Sequence, residues 1–124
     1  MGMTRVLIVD DDPQITSLLR RFLERTGRYQ VRTVNRARTA VDEARTFQPQ
    51  VVVLDVCMPD MDGTEVAGAL EAIPEFERTP VLFLTGIATP DEIGTSGWES
   101  GSRVCLPKPV PLSELLRRLD YATA

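Results

Sequence analysis

The sequence predicts an α/β domain built on a doubly wound, five-stranded parallel sheet with helices on both faces. Short apolar runs of strand length alternate along it with stretches that repeat apolar residues at three- and four-residue spacing. Two of the runs, Val51–Leu54 and Val81–Leu84, are apolar at every position, as expected of strands covered from both sides. With 124 residues, 43% of them hydrophobic, the chain has the size and apolar content of one domain spanning 1–124.

The first strand runs from Arg5 to Val9 and stops at Asp10, Asp11 and Asp12. Asp12 followed by Pro13 is an N-cap and first-turn pair, and Ile15, Leu18, Leu19, Phe22 and Leu23 then form one apolar helix face ending before Gly27. Tyr29 to Val34 alternates as a strand, and Ala37, Ala40, Val41, Ala44 and Phe47 recur with helical spacing up to Pro49. The strand Val51 to Leu54 ends at Asp55, and Met58 to Gly63 make a turn-rich loop before a helix over about Thr64 to Ile73. Val81 to Leu84 ends at Thr85 and Gly86. Pro90 to Ser100 predicts the weakest helix, because Gly94 and Gly97 each cost up to about 1 kcal/mol relative to alanine. A strand around Arg103 to Leu106 precedes Lys108, Pro109 and a last helix, Leu112 to Tyr121, whose leucine stripe 112, 115, 116 and 119 is read mainly as core.

Composition removes several classes. Asp and Glu outnumber Lys and Arg 18 to 14, the net charge is -4, and the basic residues are scattered, so nothing points to direct nucleic-acid binding. No apolar run approaches the roughly 20 residues of a membrane span, and the expected location is the cytoplasm. The two cysteines, Cys57 and Cys105, lack metal-ligand spacing and there is no histidine, which argues against a zinc site and for thiols outside any disulfide.

In an open parallel sheet, sites form beyond the carboxyl ends of the strands. Asp10, Asp11, Asp55, Thr85 and Lys108 all fall there and are expected to converge on one edge. Three clustered carboxylates repel one another and call for a cation, and Mg2+, with its oxygen preference, suits them while leaving room for a phosphate oxygen. Lys108 and the Thr85 hydroxyl would hold further phosphoryl oxygens, and Asp55 is the natural nucleophile because a carboxylate can form an acyl phosphate.

The segments Val-Leu-Ile-Val-Asp-Asp-Asp, Val-Val-Val-Leu-Asp-Val-Cys-Met-Pro-Asp-Met-Asp-Gly, Phe-Leu-Thr-Gly and Leu-Pro-Lys-Pro together resemble the receiver domains of two-component response regulators, with the chemotaxis regulators as the nearest type. The resemblance covers essentially the whole chain. It implies a flavodoxin-like (βα)5 fold with strand order 2-1-3-4-5. It also implies Mg2+-dependent transfer of a phosphoryl group to Asp55 from a sensor histidine kinase or phosphotransfer protein, with switching of protein–protein interactions as the result. By the same resemblance Asp11 binds Mg2+ directly, Asp10 mainly through a water, and the Cys57 carbonyl adds a ligand. Thr85 would be the phosphoryl-sensing hydroxyl and Lys108 the phosphoryl-binding amine, followed by a cis bond to Pro109. Such a protein phosphorylates and dephosphorylates itself but is not otherwise an enzyme. It is either a stand-alone receiver or part of a larger regulator or hybrid kinase, and a homodimer through the face of the fourth helix, fifth strand and fifth helix, which that family often uses, is compatible with the sequence.

Cys105 stands where receivers usually carry an aromatic ring, Gly86 where alanine is common, and the Thr85 to Gly101 stretch is one residue longer than usual. With Gly94 and Gly97 these departures predict a flexible segment that activation would order. Asp60 to Thr64 also spells Asp-x-Asp-Gly-Thr, similar to the nucleophile motif of haloacid dehalogenase-type phosphatases, but the strand ends at Asp55 and not at Asp60. The same stretch fails as a calcium loop, with Met58 and Ala69 at ligand positions. A receiver that has lost its chemistry and only binds proteins is the third alternative, kept open by Cys105.

Overall fold

The computed structural model describes residues 2–56, 58–85, 98–100, 103–108 and 110–123, with the backbone alone at 98–100, 103, 104 and 107. Its strands are β1 (Thr4–Val9), β2 (Tyr29–Val34), β3 (Val51–Asp55), β4 (Val81–Thr85), β5 (Trp98–Ser100) and β6 (Arg103–Pro107). They form one sheet in the order β2-β1-β3-β4-β6-β5. All neighbours are parallel except β5 and β6, so the expected five parallel strands stand in the 2-1-3-4-5 order and an antiparallel strand is added at one edge.

That added strand corrects the end of the helix expected over Pro90 to Ser100; residues 90–97 lie outside the described residues. Its register sets Trp98 opposite Cys105, Glu99 opposite Val104 and Ser100 opposite Arg103. Gly94 and Gly97 had already weakened the helical alternative.

The helices are α1 (Pro13–Arg25), α2 (Ala40–Phe47), α3 (Gly63–Glu71) and α4 (Leu112–Ala122). Asp12 caps α1 by accepting from Gln14 N at 2.9 Å, Pro13 takes the first turn, and Gly27 beyond its end adopts φ 74°, a left-handed conformation that favours glycine. The segment expected as one helix from Ala37 opens instead with a 3-10 turn, Ala37–Thr39, before α2 begins. A second 3-10 turn, Pro74–Phe76, follows α3.

Strand alternation divides the core in two. Leu7, Val9, Val52, Leu54 and Phe83 pack with α2 and α3 residues such as Phe47, Val66 and Leu70. Val6, Ile8, Val51, Val53 and Leu84 pack with Leu19 and Leu23 of α1 and Leu115 and Leu119 of α4. Every residue of β3 is buried, in keeping with its central place. The α1 stripe is only partly core: Leu19 and Leu23 are buried, but Ile15 and Leu18 stay exposed because the apolar arc is wider than the surface that covers it. At the opposite end of the sheet from the acidic residues, Tyr29 donates to Asp120 of α4, which also pairs with Arg28 at 3.2 Å. No helix among the described residues is long and apolar enough to cross a membrane.

Candidate functional site

The register explains why residues far apart in sequence meet. Val9 of β1 pairs with Leu54 of β3, so Asp10 and Asp55 follow side by side on adjacent strands. Thr85 closes β4, where it pairs with Pro107, and Lys108 comes directly after β6. A backbone bond from Lys108 N to the Thr85 carbonyl, 2.7 Å, ties the last two together.

Asp10 and Asp55 are almost fully buried, at 3% and 5% exposure, and Asp11 beside them is exposed. Carboxylate oxygens of all three lie within 4.8 Å of one another. Two buried like charges on neighbouring strands are costly unless a cation sits between them. Lys108 supplies one, its Nζ lying 3.1 Å from Asp10 Oδ2 and 3.1 Å from Asp55 Oδ1. Burial alone would push the lysine pKa down, but its bonds and charge contacts with Asp55 and Asp10 outweigh this and hold it above its ordinary value.

Asp10 is held at four points. Its N–H donates to Val34 O at 3.0 Å, and its carbonyl accepts from Asn35 Nδ2 at 2.9 Å. Its Oδ1 accepts from Asp12 N at 3.0 Å, and its Oδ2 faces Lys108. The loop after Asp55 is fixed as firmly, with Val56 N donating to Leu84 O at 3.0 Å and Gly63 N to Val56 O at 2.9 Å. Gly63 packs so closely against this loop that a Cβ there would lie 2.2 Å from the Asp55 carbonyl oxygen.

The structure thus brings Asp10, Asp11, Asp55 and Lys108 together, with Thr85 buried at the end of the neighbouring strand. Cys57 and the Lys108–Pro109 bond lie outside the described residues, as do 86–97, where segment ordering was expected. Cys105 is a buried thiol on β6 outside any disulfide. The carboxylates of the Asp-x-Asp-Gly-Thr stretch are occupied as caps. Asp60 Oδ2 accepts from Arg38 N at 3.2 Å, and Asp62 Oδ1 accepts from Thr64 N at 2.8 Å at the start of α3. The slight desolvation of Asp60 is outweighed by backbone amides of Arg38, Asp60 and Ala37, which hold its carboxyl below the usual range.

Three features were not anticipated from sequence: the Asn35 contact, the close approach of Gly63, and an apolar groove beside Lys108. The groove, of about 360 Å3, is floored by Ile15, Leu18, Leu19, Leu84, Val110 and Leu112. An asparagine just past a strand and a glycine after an aspartate carry only weak turn signals, and exposed leucines look like core in a helical repeat.

The family described as response regulator receiver domain matches residues 6–120. The response regulator MprA of Mycolicibacterium vanbaalenii is 39% identical over 115 residues, covering 93% of this chain and 48% of that protein. An uncharacterized 14.6 kDa protein of Leptolyngbya boryana is 38% identical over 112 residues, covering 90% of this chain and 84% of that protein. The chain therefore spans about half the length of its MprA relatives and most of the Leptolyngbya protein. The chemotaxis protein CheY4 of Vibrio cholerae superposes with a TM-score of 0.82 at 31% identity, over 98% of this chain and 99% of that one. A CheY-like receiver domain protein of Methanospirillum hungatei gives 0.81 at 25% identity, over 98% and 94%. With this match over nearly its whole length, the same strand order and an acidic edge in the expected place, the chain belongs to the response regulator receiver domains of two-component systems.

Proposed function

We propose that Asp55 accepts a phosphoryl group from the phosphohistidine of a sensor histidine kinase or phosphotransfer protein, and that the whole chain, 1–124, works as a single receiver. The observation that carries this is the convergence of Asp10, Asp11, Asp55 and Lys108 at the carboxyl edge of the sheet. A carboxylate oxygen of Asp55 attacks phosphorus, the bond from phosphorus to the histidine nitrogen breaks, and the nitrogen keeps the electron pair. Later attack by water on phosphorus releases phosphate and restores the carboxylate. Transfer of this kind needs little from the protein beyond positioning and charge, which the fixed strand ends supply.

The donor set is all oxygen, three carboxylates in reach of one ion, and it fits Mg2+. Asp11, Asp10 and Asp55 would hold the ion, with the Cys57 carbonyl as a further ligand; when bound it neutralises charge on the phosphoryl oxygens. Lys108, already shared between two site carboxylates, offers its ammonium to a phosphoryl oxygen, and Thr85 offers its hydroxyl to another.

The apolar groove beside Lys108 supports a place for the phosphodonor. Ile15 and Leu18 are 37% and 47% exposed and lead to the site through Val110 and Leu112, so a helix carrying the histidine would bury them on docking. The outcome of phosphorylation is a change in protein contacts with a downstream partner, and the cytoplasm is the compartment in which such a relay would run.

Intact mass after incubation with Mg2+ and acetyl phosphate tests the reading. One labile phosphoryl adduct is expected, absent in Asp55→Asn and absent when Mg2+ is chelated. No adduct in the wild type, or an equal one in the variant, would overturn it.

A further inference from the structure

We infer that Asn35, which neither the family's motifs nor the acidic cluster includes, is a positioning residue for the metal-binding carboxylates. The inference rests on the proposed Mg2+ site. Asn35 follows β2, and its side-chain amide donates twice: to the Asp10 carbonyl at 2.9 Å and to Thr16 Oγ1 at 3.0 Å. Asp10 is the entry to the loop that carries the acidic residues, and Thr16, 2% exposed, lies in the first turn of α1 where the loop ends. Thr16 passes the connection on by donating to Pro13 O at 3.2 Å. One amide thus staples the two ends of the loop to each other and to β2.

The contact matters because of how the rest of Asp10 is held. Its N–H, Oδ1 and Oδ2 are bound by Val34 O, Asp12 N and Lys108 Nζ, two backbone groups and a long flexible cation. Asn35 is the side chain that fixes the Asp10 carbonyl, and hence the peptide that turns Asp11 toward Asp55. Both donor hydrogens of its amide are engaged by Asp10 and Thr16, so it acts through the loop and not on the ion or the phosphoryl group. Outer partners of metal ligands of this kind set affinity by fixing ligand orientation.

Mn2+ stands in for Mg2+ in the test, with free Mn2+ followed by electron paramagnetic resonance in the wild type, Asn35→Ala and Asn35→Asp. Asn35→Ala should raise the Mn2+ dissociation constant about tenfold. Asn35→Asp is the sharper variant, because it keeps the shape, removes the donors and adds a negative charge near the cation. Charge alone predicts tighter binding, whereas positioning predicts binding weaker than in the wild type. Phosphorylation by acetyl phosphate gives a second reading: each variant should need more Mg2+ for half-maximal rate yet approach the wild-type rate at saturation. If Asn35→Ala does not fold, Asn35→Asp carries the test. Unchanged or tighter binding in Asn35→Asp overturns the role of Asn35 while leaving the site intact. A wild-type protein that binds no Mn2+ overturns both the site and this inference.

Discussion

Replacing Gly63 with alanine brings a side chain against the backbone of Asp55, the proposed phosphoacceptor. The new Cβ would lie 2.2 Å from the Asp55 carbonyl oxygen, 2.9 Å from Val56 Cα and 3.0 Å from the Asp55 carbonyl carbon. Carbon to oxygen approaches normally begin near ~3.3 Å, so α3 and the loop must part by about 1 Å. Every clashing atom is backbone, and no rotamer change relieves it. Parting them stretches the 2.9 Å bond from Gly63 N to Val56 O, worth about 1 kcal/mol, and adds an overpacking cost of about 1–3 kcal/mol. Alanine's better helix propensity and its less flexible unfolded chain return about 0.5–1 kcal/mol. The net expectation is a loss of about 1–3.5 kcal/mol, a large share of the ~5–15 kcal/mol typical of a domain. Urea unfolding without Mg2+ should show a midpoint lower by about 1 M or more at unchanged slope. Phosphorylation of Asp55 should fall as well, since the displaced atoms belong to it. A variant with wild-type midpoint and wild-type phosphorylation would refute the close-approach account.

Lys108→Met should cost about 1–3 kcal/mol near neutral pH by leaving Asp10 and Asp55 buried without their cation, and Mg2+ should restore more stability to this variant than to the wild type. Because folding raises the Lys108 pKa, its contribution is complete below the ordinary value of 10.5 and fades as pH climbs through the higher folded value, so the two proteins should converge in strong alkali. Tyr29 behaves in the same sense: burial first, then its bond to Asp120, lift its pKa from 10.0 to about 12. Wild type should therefore lose stability between those pH values, and Tyr29→Phe, which cannot ionise, should lose less over the same range in alkaline unfolding. Leu18→Glu should leave stability and acetyl phosphate labelling nearly unchanged while slowing transfer from a protein phosphodonor at least ~10-fold; equal slowing with both donors would count against docking in the groove.

The strands of the parallel sheet were legible because burial on both faces removes alternation and leaves runs such as Val51 to Leu54, which then stop at a charged residue. That abrupt stop at Asp10 and Asp55 also exposed the site, since a carboxylate directly after a buried strand has few structural reasons to be there. The Trp98–Ser100 strand was not legible, because three residues are too few to show a period and the glycines before them pointed only to a poor helix. Ile15 and Leu18 were read with the rest of the α1 stripe, since periodicity reports which residues share a face but not how much of that face another element covers. Asn35 and Gly63 act through single atoms placed by tertiary contacts, which local patterns do not encode.

The contact between Asp10 and Lys108 joins residues 98 positions apart, and both also flank Asp55. Until β6 is laid beside β4, Asp10 and Asp55 have no ammonium between them, and burying the pair without it is costly. The proposed phosphoacceptor edge is therefore complete only when the first and last strands of the parallel sheet are both in place.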